Sequence, residues 1–470
     1  MVNSRLKLSL REAVLVLTAV LAILGYGIIA LELPPQVPII SSVMALFIFG
    51  KLKGVDFKVM EKGMIAGASS ALGAVYIFIF IGMLISSWML AGTIPTLMYY
   101  GFSFLSGSSF YAIVFSVASL IGLCIGSSFT TSATIGVAFI GMAGAMDVSL
   151  AITAGAVVSG AYLGDKMSPL SDTCNLASET VGVNLFEHVR NMLWTTIPGF
   201  ILSFILYYFM SPSLEAPKVK EIDLFTETLQ KEANISLLAI VPFLIVTIMA
   251  FRKISAIAVL AAGTAAAVLV AFVSIDNLTL SKAAGVLFSG YKMDSGVEQL
   301  DSILSRGGIE SMMFSISLVL LALGMGSLLF QLGIIPSILE KAVSGMRRAG
   351  SIIAATVLTA IGVNILIGEQ YLSILLPGKT FQDSYRKAGL TGKTLARAIE
   401  DGGTVVNPLI PWGVSGVFLA GVLGVPVIDY APFAFFCLLC PVLSIISGYS
   451  GIGISLVKSR QAPAELLMGK

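Results

Sequence analysis

SGAYLGDKMSPLSDTCNLAS, residues 159–178, decides how this chain is read. Its two ends suit a membrane interior, yet Asp165, Lys166, Ser168, Asp172, Thr173 and Asn175 lie between them. Pro169 has no N–H, and its ring clashes with the carbonyl four residues back, that of Asp165. Position 165 therefore offers a carboxylate and a freed backbone oxygen at one point, as a desolvated cation requires. Charge at such depth is unfavourable by several kcal/mol unless a partner, a pathway or a bound ion compensates it. Two readings stay open. The helix breaks around a cation, with Lys166 lowering the local negative charge; or Asp165 or Asp172 simply pairs with Lys166.

The surroundings are those of a membrane protein. Of 470 residues 57% are hydrophobic and only 11% charged, less than half the usual share of about 25%. The near balance of 28 basic and 26 acidic residues leaves no electrostatic footprint for nucleic acid. Four Cys (Cys124, Cys174, Cys437, Cys440) and one His (His188) leave no transition-metal cluster of the usual kinds, and no cofactor is expected. Cys437 and Cys440 form a CxxC inside FAFFCLLCPVL, which reads as two reduced thiols packing as small hydrophobes. The basic N-terminus runs into about 20 apolar residues without a small-x-small site, so a retained first span is expected.

Membrane helices are predicted at 12–31, 37–50, 64–91, 149–181, 191–210, 235–250, 254–273, 310–332, 395–424 and 430–456. The fold class is thus all-α and polytopic, with about ten transmembrane helices. Two more apolar stretches, 109–146 and 351–378, are interrupted by polar clusters and suggest re-entrant hairpins or long broken helices. Segments 51–62, 211–234, 274–308 and 379–394 read as loops. Arg5, Lys7 and Arg11, then Lys51, Lys53, Lys58 and Lys62, then Arg252, Lys253, Arg347, Arg348, Lys379, Arg386, Lys387 and Lys393 all fall on one side if both hairpins return. By the positive-inside rule both termini are expected in the cytoplasm.

An internal repeat extends the argument. AGTIPTLM (91–98) resembles LGIIPSIL (332–339), the break at Gly126 matches that at Gly368, and MSPL (167–170) matches VNPL (406–409), at offsets of 241, 242 and 239. Five spans separate the equivalent helices, and an odd number turns one half upside down. Inverted repeats with a broken element in each half mark a secondary transporter with a midplane site. The expected organisation is 1–63 N-terminal spans, 64–210 first repeat, 211–309 connection, 310–457 second repeat and 458–470 tail.

Three further motifs accompany the first. GSSFTTSAT (126–134) brings Ser127, Ser128, Thr130 and Thr131, whose hydroxyls can bind a cation or a carboxylate, or else back-bond to the preceding helical turn. IGEQYLS (367–373) brings Glu369. AIEDGGTVVNPLIPWG (398–413) brings Asp401, Thr404 and Asn407; Pro408 would free the carbonyl of Thr404. Glu400 is an acid of the break or a loop acid paired with Arg397. A carboxylate that holds a proton or a cation, but not both, couples the two by competition. Gly160 and Gly164 form a GxxxG read as close helix packing. His188 is read as structural, in a cytoplasmic loop, and Trp412 as a cap or as packing.

GAVVSGAYLGDKMSPLSDTCNLAS, NLFEHVRNMLWTTIP (184–198) and EDGGTVVNPLIPWG together resemble the NhaC-type sodium/proton antiporter family, which includes malate–lactate exchangers. The likeness runs over nearly the whole chain, and GDKMSPLSDT is its most specific string. It implies exchange of cytoplasmic sodium for external protons across the cell membrane, in some members with small organic acids. The wider ion-transporter superfamily implies a homodimer with a scaffold and a mobile transport domain. Asp165, Ser168, Asp172, Thr173 and Asn175, with Asp401, Thr404 and Asn407, carry over as signature positions. The second half reads VVNPL where many members have Ser or Thr before the Pro.

The resulting expectation is a sodium/proton antiporter. Sodium binds among Ser127, Thr130, Asp165, Asp172 and Asn175, closed by Asp401, Thr404 and Asn407, and protons occupy Asp165 or Glu369 in its absence. The competing transport reading is malate plus protons against lactate plus sodium, the anion held by Ser127, Ser128, Thr130 and Thr131 through N–H groups. A channel and an intramembrane aspartyl protease are the remote readings; the protease lacks GxGD, since position 162 is Tyr.

Overall fold

The computed structural model describes residues 6–105, 109–212, 226–252, 254–294, 301, 304–342 and 348–456. Among them every regular element is helical, apart from an isolated bridge between Leu390 and Leu456. Seven helices are long and apolar enough to cross a bilayer: Leu10–Ile28, Leu72–Leu90, Ser128–Ala145, Leu185–Met210, Ala256–Ser274, Ile309–Gln331 and Ala349–Ile367. Two bent pairs, Gly392–Leu409 with Val414–Leu423 (43°) and Val427–Phe433 with Phe435–Ser450 (56°), bring the number among the described residues to nine if each pair is one span. Gln36–Leu52 and Leu238–Phe251, at the predicted spans 37–50 and 235–250, are shorter apolar helices. On Leu185–Met210, Leu202, Phe204, Ile205 and Phe209 are exposed, as a lipid-facing stripe requires. The chain is an all-helical polytopic membrane protein with broken helices.

Leu150–Met167 is the inner element: every residue from 153 to 167 is buried. Gly160 and Gly164 let Phe110–Ile125 lie directly on it. A Cβ at Gly164 would fall on the backbone of Gly122 and Leu123, and one at Gly160 would meet Ala118. The GxxxG is a packing device, as its spacing suggests.

Both polar interruptions have the same local form. Phe110–Ile125 ends at Gly126 (φ 72°) and Ala349–Ile367 at Gly368 (φ 75°). Each glycine N–H donates at 2.7 Å to the carbonyl four residues back, of Gly122 or Asn364. This left-handed conformation favours glycine because a Cβ would clash with the following carbonyl. The next residue is extended and caps the new helix: Ser127 Oγ accepts from Thr130 N and Glu369 Oε2 from Leu372 N. Left-handed glycines recur at Gly92 and Gly333, and at Gly182 and Gly424. These pairs have the 241–242-residue spacing seen in the sequence.

Several segments differ from expectation, among them the predicted loops 51–62 and 211–234, which are helical over 57–62 and 226–232. Residues 64–91 are two helices, Phe57–Ser70 and Leu72–Leu90. The predicted loop 274–308 contains the helix Leu280–Ser289. The predicted loop 379–394 is mostly helix, because Gln370–Lys387 continues through its charged end. Phe381 and Tyr385, one turn apart, are buried there while Asp383, Arg386 and Lys387 stay exposed, so an amphipathic pattern outweighs the charge.

Candidate functional site

Leu150–Met167 stops at Ser168, whose backbone is extended (φ −79°, ψ 127°), and a new helix, Asp172–Val181, starts from Ser171. Pro169 thus ends the helix, as its missing donor predicts. The released carbonyls are met by a thiol: Cys174 Sγ lies 2.7 Å from the Lys166 oxygen and 3.6 Å from that of Asp165. A free backbone oxygen at Asp165 is therefore weakly occupied rather than open.

The Asp165 carboxylate is nearly buried, at 5% exposure. Ser171 Oγ donates to Oδ1 at 2.6 Å, and Ser128 donates to Oδ2 through Oγ at 2.7 Å and N at 3.4 Å. Among the described residues no cation pairs with it. It lines a cavity of about 100 Å³ with Ser127, Thr130, Asp172 and Thr173, while Gln370 and Tyr371 enter from the other half of the chain. At roughly 30 Å³ per liquid water, this space suits an ion with a few waters. Asp172 is exposed. Thr173 Oγ1 pairs with Ser171 Oγ at 2.9 Å.

Other predicted residues are placed differently. Ser168 Oγ caps Leu170 N, and Asn175 Nδ2 donates to the carbonyls of Ser171 and Pro169; neither lines the cavity. Thr131 back-bonds to Ser127 O at 2.9 Å, the structural option for a helical hydroxyl. Thr130 Oγ1 lies 3.1 Å from Ser127 Oγ. The amide and hydroxyl of Ser128, expected for a substrate carboxylate, go to Asp165. Glu369 is half-buried and serves as a helix cap.

The second break is closed. Lys166 reaches neither Asp165 nor Asp172. Its ammonium pairs with Asp401 at 2.5 Å, both side chains at 0% exposure, with Thr195 Oγ1 at 3.0 Å and the Phe436 ring centroid at 5.7 Å. Successive helical residues point about 100° apart, so Asp165 faces the cavity and Lys166 the core. Asn407 is fully engaged: Nδ2 donates to Asn364 Oδ1 and Oδ1 accepts from Ser415 N. Tyr430 donates to the Pro408 carbonyl at 2.6 Å. Thr404 is buried beside Glu400, and its hydroxyl is in hydrogen-bond geometry with no described residue. Trp412 donates to Ile365 O, so it packs the break against the second tip.

Asn364 is the residue that sequence reasoning passed over. It donates to Gly402 O and Gly403 O, at 3.1 and 2.7 Å, and accepts from Ser373 and Asn407. Its signal was present: one amide inside an apolar run, four residues before the break glycine. Two further expectations are corrected. Arg397 binds Gly453 O and Ser447 Oγ instead of Glu400. His188 lies within Leu185–Met210 at 0% exposure, in no loop. It meets Cys174 and Glu400, a mixed ligand set that linear spacing cannot reveal because each residue comes from a different helix.

The Na+/H+ antiporter family model matches residues 160–452. The chain is 41% identical to the Na+/H+ antiporter NhaC of Alkalihalophilus pseudofirmus, covering 95% of this chain and 96% of that one. It is 39% identical to the Na+/H+ antiporter NhaC of Bacillus subtilis, covering 95% and 99%. It is 31% identical to the malate-2H+/Na+-lactate antiporter of Bacillus subtilis, covering 98% of each.

Proposed function

The chain belongs to the Na+/H+ antiporter family, and we propose that it exchanges sodium for protons by alternating access, with Asp165 occupied by the two cations in turn. It is a secondary transporter and not an enzyme. The observation that carries this reading is the contrast between neighbours: Lys166 has a counter-ion in Asp401, whereas Asp165 has only hydroxyl and amide donors and faces the cavity. Carboxylate and hydroxyl oxygens suit a hard cation. Sodium takes Asp165 and Asp172 with the hydroxyls of Ser127, Thr130 and Thr173; a proton takes Asp165 when sodium leaves. The tips at Gly126 and Gly368 belong to two inverted repeats, and the cavity lies where they meet.

The cation-exchange reading is favoured over the anion exchanger by charge. Among the described residues, two carboxylates and no Lys or Arg line the cavity, so an organic dianion meets repulsion there. The relative named for malate and lactate keeps that exchange as the second reading. The protein sits in the cytoplasmic membrane with both termini inside, which the Lys and Arg distribution supports. The superfamily resemblance supports a homodimer.

A pH-dye assay in everted vesicles tests this. Sodium alone dissipates a proton gradient if the reading is right, and Asp165→Asn, inserted at normal levels, does not respond. A requirement for malate or lactate establishes the second reading, and full activity of Asp165→Asn removes that residue from the mechanism.

A further inference from the structure

Beside the break, among residues that do not line the cavity, three helices bring together three different ligand types. Cys174 is on Asp172–Val181, His188 on Leu185–Met210 and Glu400 on Gly392–Gly403. All three are at 0% exposure, and one ligand atom from each lies within 4.8 Å of the other two. Among the described residues, neither ring nitrogen of His188 and neither carboxylate oxygen of Glu400 has a partner in hydrogen-bond geometry. The Thr404 hydroxyl, one helical turn on, is close enough to act on the Glu400 carboxylate but lies outside hydrogen-bond geometry. A buried polar atom left unpaired costs about 1–3 kcal/mol, and here four such atoms converge with a thiol. The thiol is held in place, since Cys174 Sγ contacts the Lys166 carbonyl.

We propose that Cys174, His188 and Glu400 form a three-ligand site for a divalent metal of the zinc class, and that the bound metal arrests transport. A sulfur, a nitrogen and a carboxylate oxygen with one open position is a zinc donor set; magnesium and alkali cations prefer oxygen alone. Tetrahedral zinc needs its ligand atoms roughly 3.5 Å apart, so the cluster closes by about 1 Å on binding. The thiol proton leaves to solvent as the metal–sulfur bond forms. The metal then ties the post-break helix of one half to the Glu400 helix of the other. Because the cluster is sealed in this conformation, zinc enters when those helices part. The arrest rests on the exchange cycle proposed above; the binding does not.

The test uses purified full-length protein dialysed to equilibrium against chelator-buffered zinc. One zinc per chain is expected. Cys174→Ser, which keeps a donor for the Lys166 carbonyl, and His188→Gln should each weaken binding by at least about 100-fold, since even outer-shell partners of a metal are worth about 10–100-fold. Cadmium should give a thiolate charge-transfer band that Cys174→Ser lacks with Cys124, Cys437 and Cys440 intact. In proteoliposomes zinc should stop sodium-driven proton movement in the native protein and leave Cys174→Ser, whose zinc-free rate is unchanged, running. Absence of zinc, zinc retained by both variants, or a cadmium band surviving Cys174→Ser overturns the site. Zinc bound without slowing exchange overturns the arrest. No sodium-driven proton movement by the zinc-free native protein, with added zinc still bound through Cys174, counts against the exchange reading alone.

Discussion

The proline breaks at 167–170 and 406–409 use one device for two purposes. At the first, the helix stops and its acid, Asp165, turns to a polar cavity with only hydroxyl and amide donors around it. At the second, the acid Asp401 is neutralised by Lys166, and Asn407, Asn364 and Tyr430 engage the loosened backbone and amides. A break exposes backbone polarity in either case. Whether that polarity serves an ion or holds two halves together depends on what the opposite half supplies. The first break receives Gln370 and Tyr371 at its cavity; the second receives an ammonium group.

The comparison is broken most severely by Asp165→Asn, which should reduce sodium-driven proton movement to background in vesicles while the protein still inserts. Lys166→Met comes next. It leaves Asp401 buried and unpaired, and removing one partner of a buried pair costs about 3–5 kcal/mol; thermal unfolding in detergent should show a large drop, and Lys166→Met with Asp401→Leu should recover much of it. Should Lys166→Met abolish transport without loss of stability, the second break is part of the ion path. Asn364→Ala strips donors from two carbonyls and should destabilise by about 1–3 kcal/mol, with sodium dependence intact in whatever protein remains folded. Ser128→Ala removes one hydroxyl from Asp165. A hydrogen bond to a charged group is worth about 1.5–3 kcal/mol, so the sodium concentration for half-maximal exchange should rise by about tenfold to a hundredfold. Thr131→Val is the control, since its hydroxyl goes to Ser127 O, and sodium dependence should stay at the native value.

Much of the fold is legible in one dimension because Gly and Pro act locally. Gly126, Gly368 and Pro169 mark their breaks by backbone conformation and a missing donor, and the structure breaks there. Asp165 beside Ser128 is legible for a related reason, as each sits at such a break. What is not legible is long-range. Lys166 and Asp401 are far apart in sequence, and the nearest acid in sequence, Asp165, is on another helix face. His188 has charged neighbours at Glu187 and Arg190, which read as a loop, yet packing of Leu185–Met210 on Asp172–Val181 and Gly392–Gly403 encloses it. Asn364 carried a signal, but only the fold shows that its amide bridges the second break and the second tip.

The divergence of Asp165 and Lys166 along one helix bears on membrane voltage. With Lys166 matched by Asp401, and with Asp165 matched by sodium or a proton as proposed, the loaded element would be neutral at positions 165 and 166. A reorienting step that shifts no net charge does no work against the transmembrane potential, which acts at about 2.3 kcal/mol per elementary charge per 100 mV. A one-for-one cycle through Asp165 would therefore run equally fast in polarised and depolarised vesicles. Any current accompanying turnover would count an additional cation, and Asp172, lining the same cavity, is where it would be carried.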